Sequence, residues 1–136
     1  MTRWKPVLTA ALVAAACSFG ALDSPARAQN RPFVSAVDDL PLMPGLEEAP
    51  QGVMVFDTPS GRIVEAIATG RVSRESVIEF YDATLPQLGW ARTGLTTFAR
   101  EGEILELVFL GTGADPLGAG TLTVRFALSP GPRAPR

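Results

Sequence analysis

Glu101, Glu103 and Glu106 stand close together in the chain, and a carboxylate pair is what general acid–base catalysis would draw on. Strand alternation sends Glu103 and Glu106 to opposite faces of a sheet, while Glu101 falls in a turn, so the three read as solvated hairpin charge. The stretch Gly111-Thr112-Gly113-Ala114-Asp115-Pro116-Leu117-Gly118-Ala119-Gly120 invites a second chemistry, the cradling of phosphate by backbone N–H groups. That use needs G-x-G-x-x-G leading into a helix whose N-terminus faces the anion. Here the spacing differs and a strand pattern follows, which predicts a flexible hairpin loop. Tyr81 and Trp90 could cap a ligand groove, but on a helix face and just past a helix end they read as core.

Absences narrow the chemistry further. The chain has no histidine, so His-activated nucleophiles and His-ligated metals are excluded. Its one cysteine, Cys17, and its one lysine, Lys5, both lie near the N-terminus. Asp57-Thr58-Pro59 resembles the start of an aspartic-protease loop, but that loop has Gly where Pro59 stands, and no second copy is present to form the dyad. The expectation is a protein that is not an enzyme and holds no cofactor or metal.

The N-terminus reads as an export signal. Basic residues Arg3 and Lys5 precede an apolar stretch from Val7 to Leu22, and Ala26-Arg27-Ala28 offers a small-x-small cleavage site between Ala28 and Gln29. The apolar stretch is shorter than the roughly 20 residues that span a bilayer comfortably. Ala14-Ala15-Ala16-Cys17 resembles a degenerate lipobox, with Ala14 where the lipoprotein pattern has Leu, so an outer-membrane lipoprotein acylated at Cys17 is the minor alternative to a periplasmic protein. Removing residues 1–28 takes away both Cys17 and Lys5. Nine arginines then face thirteen carboxylates for a net charge of −4, which disfavours nucleic acid and anionic lipid surfaces as partners. The 108 residues left suit one domain.

Within them, residues 29–52 hold Pro32, Pro41, Pro44 and Pro50 and the acidic pairs Asp38-Asp39 and Glu47-Glu48. Proline this dense blocks helix and ladder, predicting an extended acidic arm along which Leu40, Leu42, Met43 and Leu46 could still lie against the domain. Residues 129–136 read as a disordered tail. The folded domain, 53–128, opens with a strand over 53–56, a turn at Asp57-Thr58-Pro59-Ser60-Gly61, and a return strand over 62–72 whose buried face is ambiguous. Ser73 then caps a helix with Glu75 in its first turn. Val77, Ile78, Phe80, Tyr81, Thr84, Leu85 and Leu88 share one arc, opposite Glu75, Glu79, Asp82 and Pro86. Gly89 supplies the left-handed stop, and Trp90 folds back on Leu85. A two-residue turn at Glu101-Gly102 pairs Arg100 with Glu103 and Phe98 with Leu105, and the last strand turns Leu122, Val124, Phe126 and Leu128 inward. The order β-β-α-β-β-β-β predicts an α+β fold, an antiparallel sheet with one amphipathic helix packed across one face.

Phe80-Tyr81-x3-Leu85-Pro86-x-Leu88-Gly89-Trp90, followed by Phe98-x-Arg100-x-Gly102, resembles a recurring pattern in small exported bacterial domains, some of them lipoproteins. At fold level it is similar to the helix-grip domains of the accessory lipoprotein of outer-membrane β-barrel assembly. The resemblance implies binding or scaffolding and brings no catalytic residues with it. The expected function is therefore a non-catalytic periplasmic interaction or accessory module of the cell envelope, with an envelope protein or lipid as partner. The alternative is a small-ligand or lipid carrier with a groove between helix and sheet. An apolar groove of several hundred Å3 would mark the carrier. A filled core with one apolar sheet face left open would mark the module.

Overall fold

A computed structural model describes residues 32–132 apart from 116 and 118. The expected leader, with Cys17 and the expected Ala28/Gln29 cleavage site, and residues 133–136 lie outside the described residues. Ser129 and Pro130, expected in a disordered tail, are instead the end of the last strand, paired with Ile104 and Glu103. The elements are β1 (Leu46–Thr58), β2 (Gly61–Gly70), α1 (Arg74–Thr84), β3 (Ala91–Arg92), β4 (Thr97–Arg100), β5 (Glu103–Leu110) and β6 (Leu122–Pro130). The strands form one antiparallel sheet in the order β1-β2-β6-β5-β4-β3, with α1 packed on one face. This is the α+β architecture expected.

β6 alternates as expected and lies between β2 and β5: Leu122, Val124, Phe126 and Leu128 are buried, with Thr123, Arg125 and Ala127 on the other face. Val64, Ala66 and Ala68 of β2, Leu105 and Leu107 of β5, and Phe98 of β4 complete the inner layer. The buried face of β2 is thus the one carrying Val and the two alanines, and the larger Ile63 and Ile67 point away from the helix.

The helix begins where the Ser73 hydroxyl accepts the Ser76 N–H at 3.1 Å. Val77, Tyr81 and Leu85 are fully buried, while Glu75, Glu79 and Pro86 are exposed. The expected single helix tightens into a 3-10 turn over Leu85–Leu88. Proline has no N–H to offer the fourth carbonyl back, and its ring crowds that carbonyl, so the α-helical ladder stops at Pro86. Gly89 then adopts φ +85°, and the Trp90 N–H returns to the Leu85 carbonyl at 3.1 Å. Glu101 (φ +50°) and Gly102 (φ +82°) make the expected two-residue turn, with Arg100 opposite Glu103 and Phe98 opposite Leu105.

The boundary of the domain needs correction. Residues 32–46 belong to the core: Val34, Val37, Leu40, Leu42 and Leu46 are all buried, and β1 starts at Leu46 rather than near Val53. Proline prevents regular structure here without preventing packing. Residues 32–42 close into a loop in which the Val34 N–H meets the Leu40 carbonyl (2.9 Å) and the Leu42 N–H meets the Pro32 carbonyl (2.8 Å). Pro50 is absorbed by an irregularity in β1, whose register against β2 shifts between Glu48 and Val53.

Candidate functional site

Tyr81 is fully buried, its ring edge-on to Phe80 and Phe126 with centroids 5.0 and 5.5 Å away. Its hydroxyl donates to the Pro41 carbonyl at 3.0 Å and accepts the Met43 N–H at 3.3 Å. Burial pushes the phenol well above its ordinary pKa, with the Met43 N–H opposing the shift, so the side chain stays neutral. Such a phenol pins the N-terminal segment to the helix and is not poised as an acid or base. Trp90 is buried too, under the Arg100 guanidinium, which stands 4.5 Å from its ring and donates to the Leu88 carbonyl at 3.0 Å. Both aromatics are core, and neither lines a groove.

The carboxylates do not converge. Glu103 pairs with Arg100 and Pro130 along the strands, Glu106 faces away from the helix, and Glu101 sits in the turn. Among the described residues, no group of three acidic side chains could hold a metal, and no carboxylate or guanidinium is fully buried. Asp57 and Thr58 end β1, where the Thr58 hydroxyl donates to the Gly61 carbonyl at 2.6 Å within the turn. The glycine-rich loop leads into β6. One oxygen of the Asp115 carboxylate accepts the N–H groups of Leu117 (2.9 Å) and Ala119 (2.8 Å). Donors that a phosphate would need already serve an anion of the chain itself, which would also repel it.

Among the described residues, no second helix covers the sheet face away from α1. Strand register lays it out in rows. Phe56 lies beside Ile63, Met54 beside Glu65, then Ala127, Glu106 and Thr97, and Ile67 beside Arg125 and Val108. Ile104, opposite Ala99 and Ser129, and Leu110, opposite Thr123, continue the apolar surface. Ile63, Ile67, Ile104 and Val108 are half-buried by their neighbours, whereas Met54, Phe56 and Leu110 are about half exposed. Near the middle of this face the buried Nε of Arg125 has no hydrogen-bond partner among the described residues. Alternation in β6 implies Thr123 and Arg125 on this side, but the apolar run of β2 does not by itself assign Ile63 and Ile67 to it. The available signal was parity: Ile63 and Ile67 sit one step out of phase with Val64, Ala66 and Ala68.

No helix among the described residues is long and apolar enough to cross a membrane. Comparison with protein-family models, curated proteins and solved structures returns no significant match.

Proposed function

We propose that this chain acts, after export, as a non-catalytic interaction module of the bacterial cell envelope, binding a protein partner through its open sheet face. The observation that carries the reading is the mosaic on that face: isoleucine, valine, methionine and phenylalanine interleaved with Glu65, Glu106 and Arg125, opposite the face on which the helix packs. An apolar surface patterned with both charge signs suits a protein surface of matching pattern better than it suits lipid. The residue inventory supports a non-catalytic role, since the chain has no histidine and its carboxylates are dispersed. The leader and the Ala28/Gln29 site support export to the periplasm.

The carrier reading has less support. Its groove would lie between helix and sheet, where Val77, Tyr81 and Leu85 are fully buried. A depression of about 230 Å3 lies elsewhere, between Phe33, Asp39 and Pro41 of the N-terminal segment and Thr84, Gln87 and Leu88. It is smaller than the ~300–1,000 Å3 usual for ligand pockets.

The test is affinity capture from envelope extract by the tagged protein and by its Val108→Glu variant, with lipid mass spectrometry on both eluates. The expected result is a protein retained by the wild type and lost by a variant whose melting temperature is unchanged. A stoichiometric lipid, equal in both eluates and without a protein, would sink the reading.

A further inference from the structure

The sheet's two edges differ. At one end, β3 has only two residues, and its Arg92 is held by Asp82 at 2.8 Å. At the other, β1 presents every second N–H and C=O outward along its length. Natural edges are blunted by lysine, proline or bulges. In β1 such devices are the irregularity around Pro50, which interrupts the strand between Glu48 and Val53, and the turn at Pro59 just past its end. Between them, residues 53–57 pair regularly with β2 and read Val-Met-Val-Phe-Asp. Exposure there is about half on both faces: Met54 (50%) and Phe56 (53%) on the open side, and Val55 (49%) on the helix side.

We infer that this edge of β1 is a strand-addition site, taking an extended partner segment with alternating apolar residues and basic residues at its ends. The inference rests on the interaction-module reading and names the edge that such a partner would use. An added strand would pair its backbone with β1 and set side chains beside Met54 and Phe56 on one face and beside Val53 and Val55 on the other. Charge specifies the flanks. The hairpin Leu46–Gly70 carries Glu47, Glu48, Asp57 and Glu65 against one cation, Arg62, whose carboxylate neighbour at 3.8 Å is Asp38. Asp57 stands at one end of the regular edge, while Glu47 and Glu48 lie beyond the irregularity and Glu48 already accepts from Ser35. A basic residue at either end of the incoming segment therefore meets Asp57 in one strand orientation or the other, on a hairpin of net negative charge. A second copy of this chain fits less well. It would bring two acidic hairpins together along an edge of five residues, about 17 Å, too short for the roughly 1,200 Å2 a stable interface buries.

The probe is a fluorescein-labelled peptide, Arg-Arg-Val-Thr-Val-Thr-Val-Arg-Arg, titrated by fluorescence anisotropy into the protein purified from its expressing host. Saturable binding is expected. It should fall at least tenfold when alternate peptide nitrogens are methylated, when glutamate replaces the arginines, or in a Met54→Lys/Phe56→Lys variant of unchanged melting temperature. Absent binding, or equal binding of the methylated or glutamate peptide, overturns the proposal. A dimer in sedimentation that the double variant dissociates also overturns it, since the edge would then belong to a second copy. Photo-crosslinkers at Val55 and Val108, exposed to envelope extract, separate the two levels of argument. Peptide failure with capture at Val108 removes the edge site and leaves the module reading standing. Peptide binding without capture at either position keeps the edge and removes the envelope reading.

Discussion

Replacing Tyr81 by Phe removes a single oxygen from the centre of the molecule and tests whether the N-terminal segment is part of the fold. The ring should keep its edge-on contacts with Phe80 and Phe126. What goes is the acceptor for the Met43 N–H and the donor to the Pro41 carbonyl. Each backbone group stranded without a partner costs about 1–3 kcal/mol when buried, and Met43 is only partly so, giving about 2–3 kcal/mol in all. At 4–8 °C per kcal/mol for a domain of this size, the melting temperature should fall by about 10–20 °C. A drop of only a degree or so would refute the claim that Tyr81 holds the segment.

The same residue gives a signature in pH. With its pKa raised in the folded state, the phenol's contribution is fully present below about pH 10, the ordinary tyrosine value. Above that pH the unfolded chain loses a proton that the folded chain keeps, so stability falls by up to about 1.4 kcal/mol per pH unit until the folded-state pKa is reached. Tyr81→Phe lacks this slope, and the gap between the two proteins should close as pH rises. The chain has one tyrosine and no lysine beyond Lys5, so few other groups titrate in this range. Denaturant melts across alkaline pH, with tyrosinate absorbance followed in parallel, make the measurement. Tyrosinate appearing at the ordinary pKa without loss of near-ultraviolet dichroism would refute the burial argument.

Leu85→Ala empties a fully buried position between helix and sheet and should cost about 2–5 kcal/mol by thermal denaturation, while Glu79→Ala on the exposed face should leave the melting temperature within about a degree. Gly70→Ala should be more damaging than Gly89→Ala in the same assay. A Cβ on Gly70 would sit 1.9 Å from the Gly45 carbonyl oxygen, whereas on Gly89 it meets only the flexible Arg100 side chain at 3.7 Å and costs about 1 kcal/mol through its left-handed φ of +85°. The exported protein should have an intact mass beginning at Gln29, and a diacylglycerol adduct at Cys17 would instead place it on a membrane.

Elements with a strong local signal were legible in the sequence. Ser73, the apolar arc and the Gly89-Trp90 exit specify α1 by capping and periodicity, and Glu101-Gly102 specifies its hairpin by turn chemistry. Two features were not. Residues 32–46 look like an arm because proline removes every periodic signal; that Leu40, Leu42, Met43 and Leu46 could pack was legible, but not the closed loop held by a phenol some forty positions away. β2 misleads because alternation normally puts the larger residues inside. Here the helix side takes Val64, Ala66 and Ala68, leaving Ile63 and Ile67 to the open face. The candidate surface stayed hidden for the same reason, since it is defined by what packs on the other side. Alternation alone placed Glu103 and Glu106 on opposite faces, and spacing alone read the glycine-rich stretch as a loop leading into a strand.

The exposed edge follows from a mismatch of lengths. An α-helix rises about 1.5 Å per residue and a strand about 3.3 Å, so the eleven residues of α1 cover about 17 Å while the thirteen of β1 run to about 43 Å. The N-terminal segment makes up part of the difference, burying Leu46 beside Val34, Val37, Leu40 and Leu42. Neither element fully covers the far half of β1. Val55 shares its face with Val64, its partner across the hairpin, yet Val64 is wholly buried and Val55 is half exposed. On the other face, Met54 and Phe56 stand on an edge strand whose one strand neighbour among the described residues is β2, and both are about half exposed. A segment seated along residues 53–57 would therefore gain apolar cover on both faces and pair the outward backbone groups in one step.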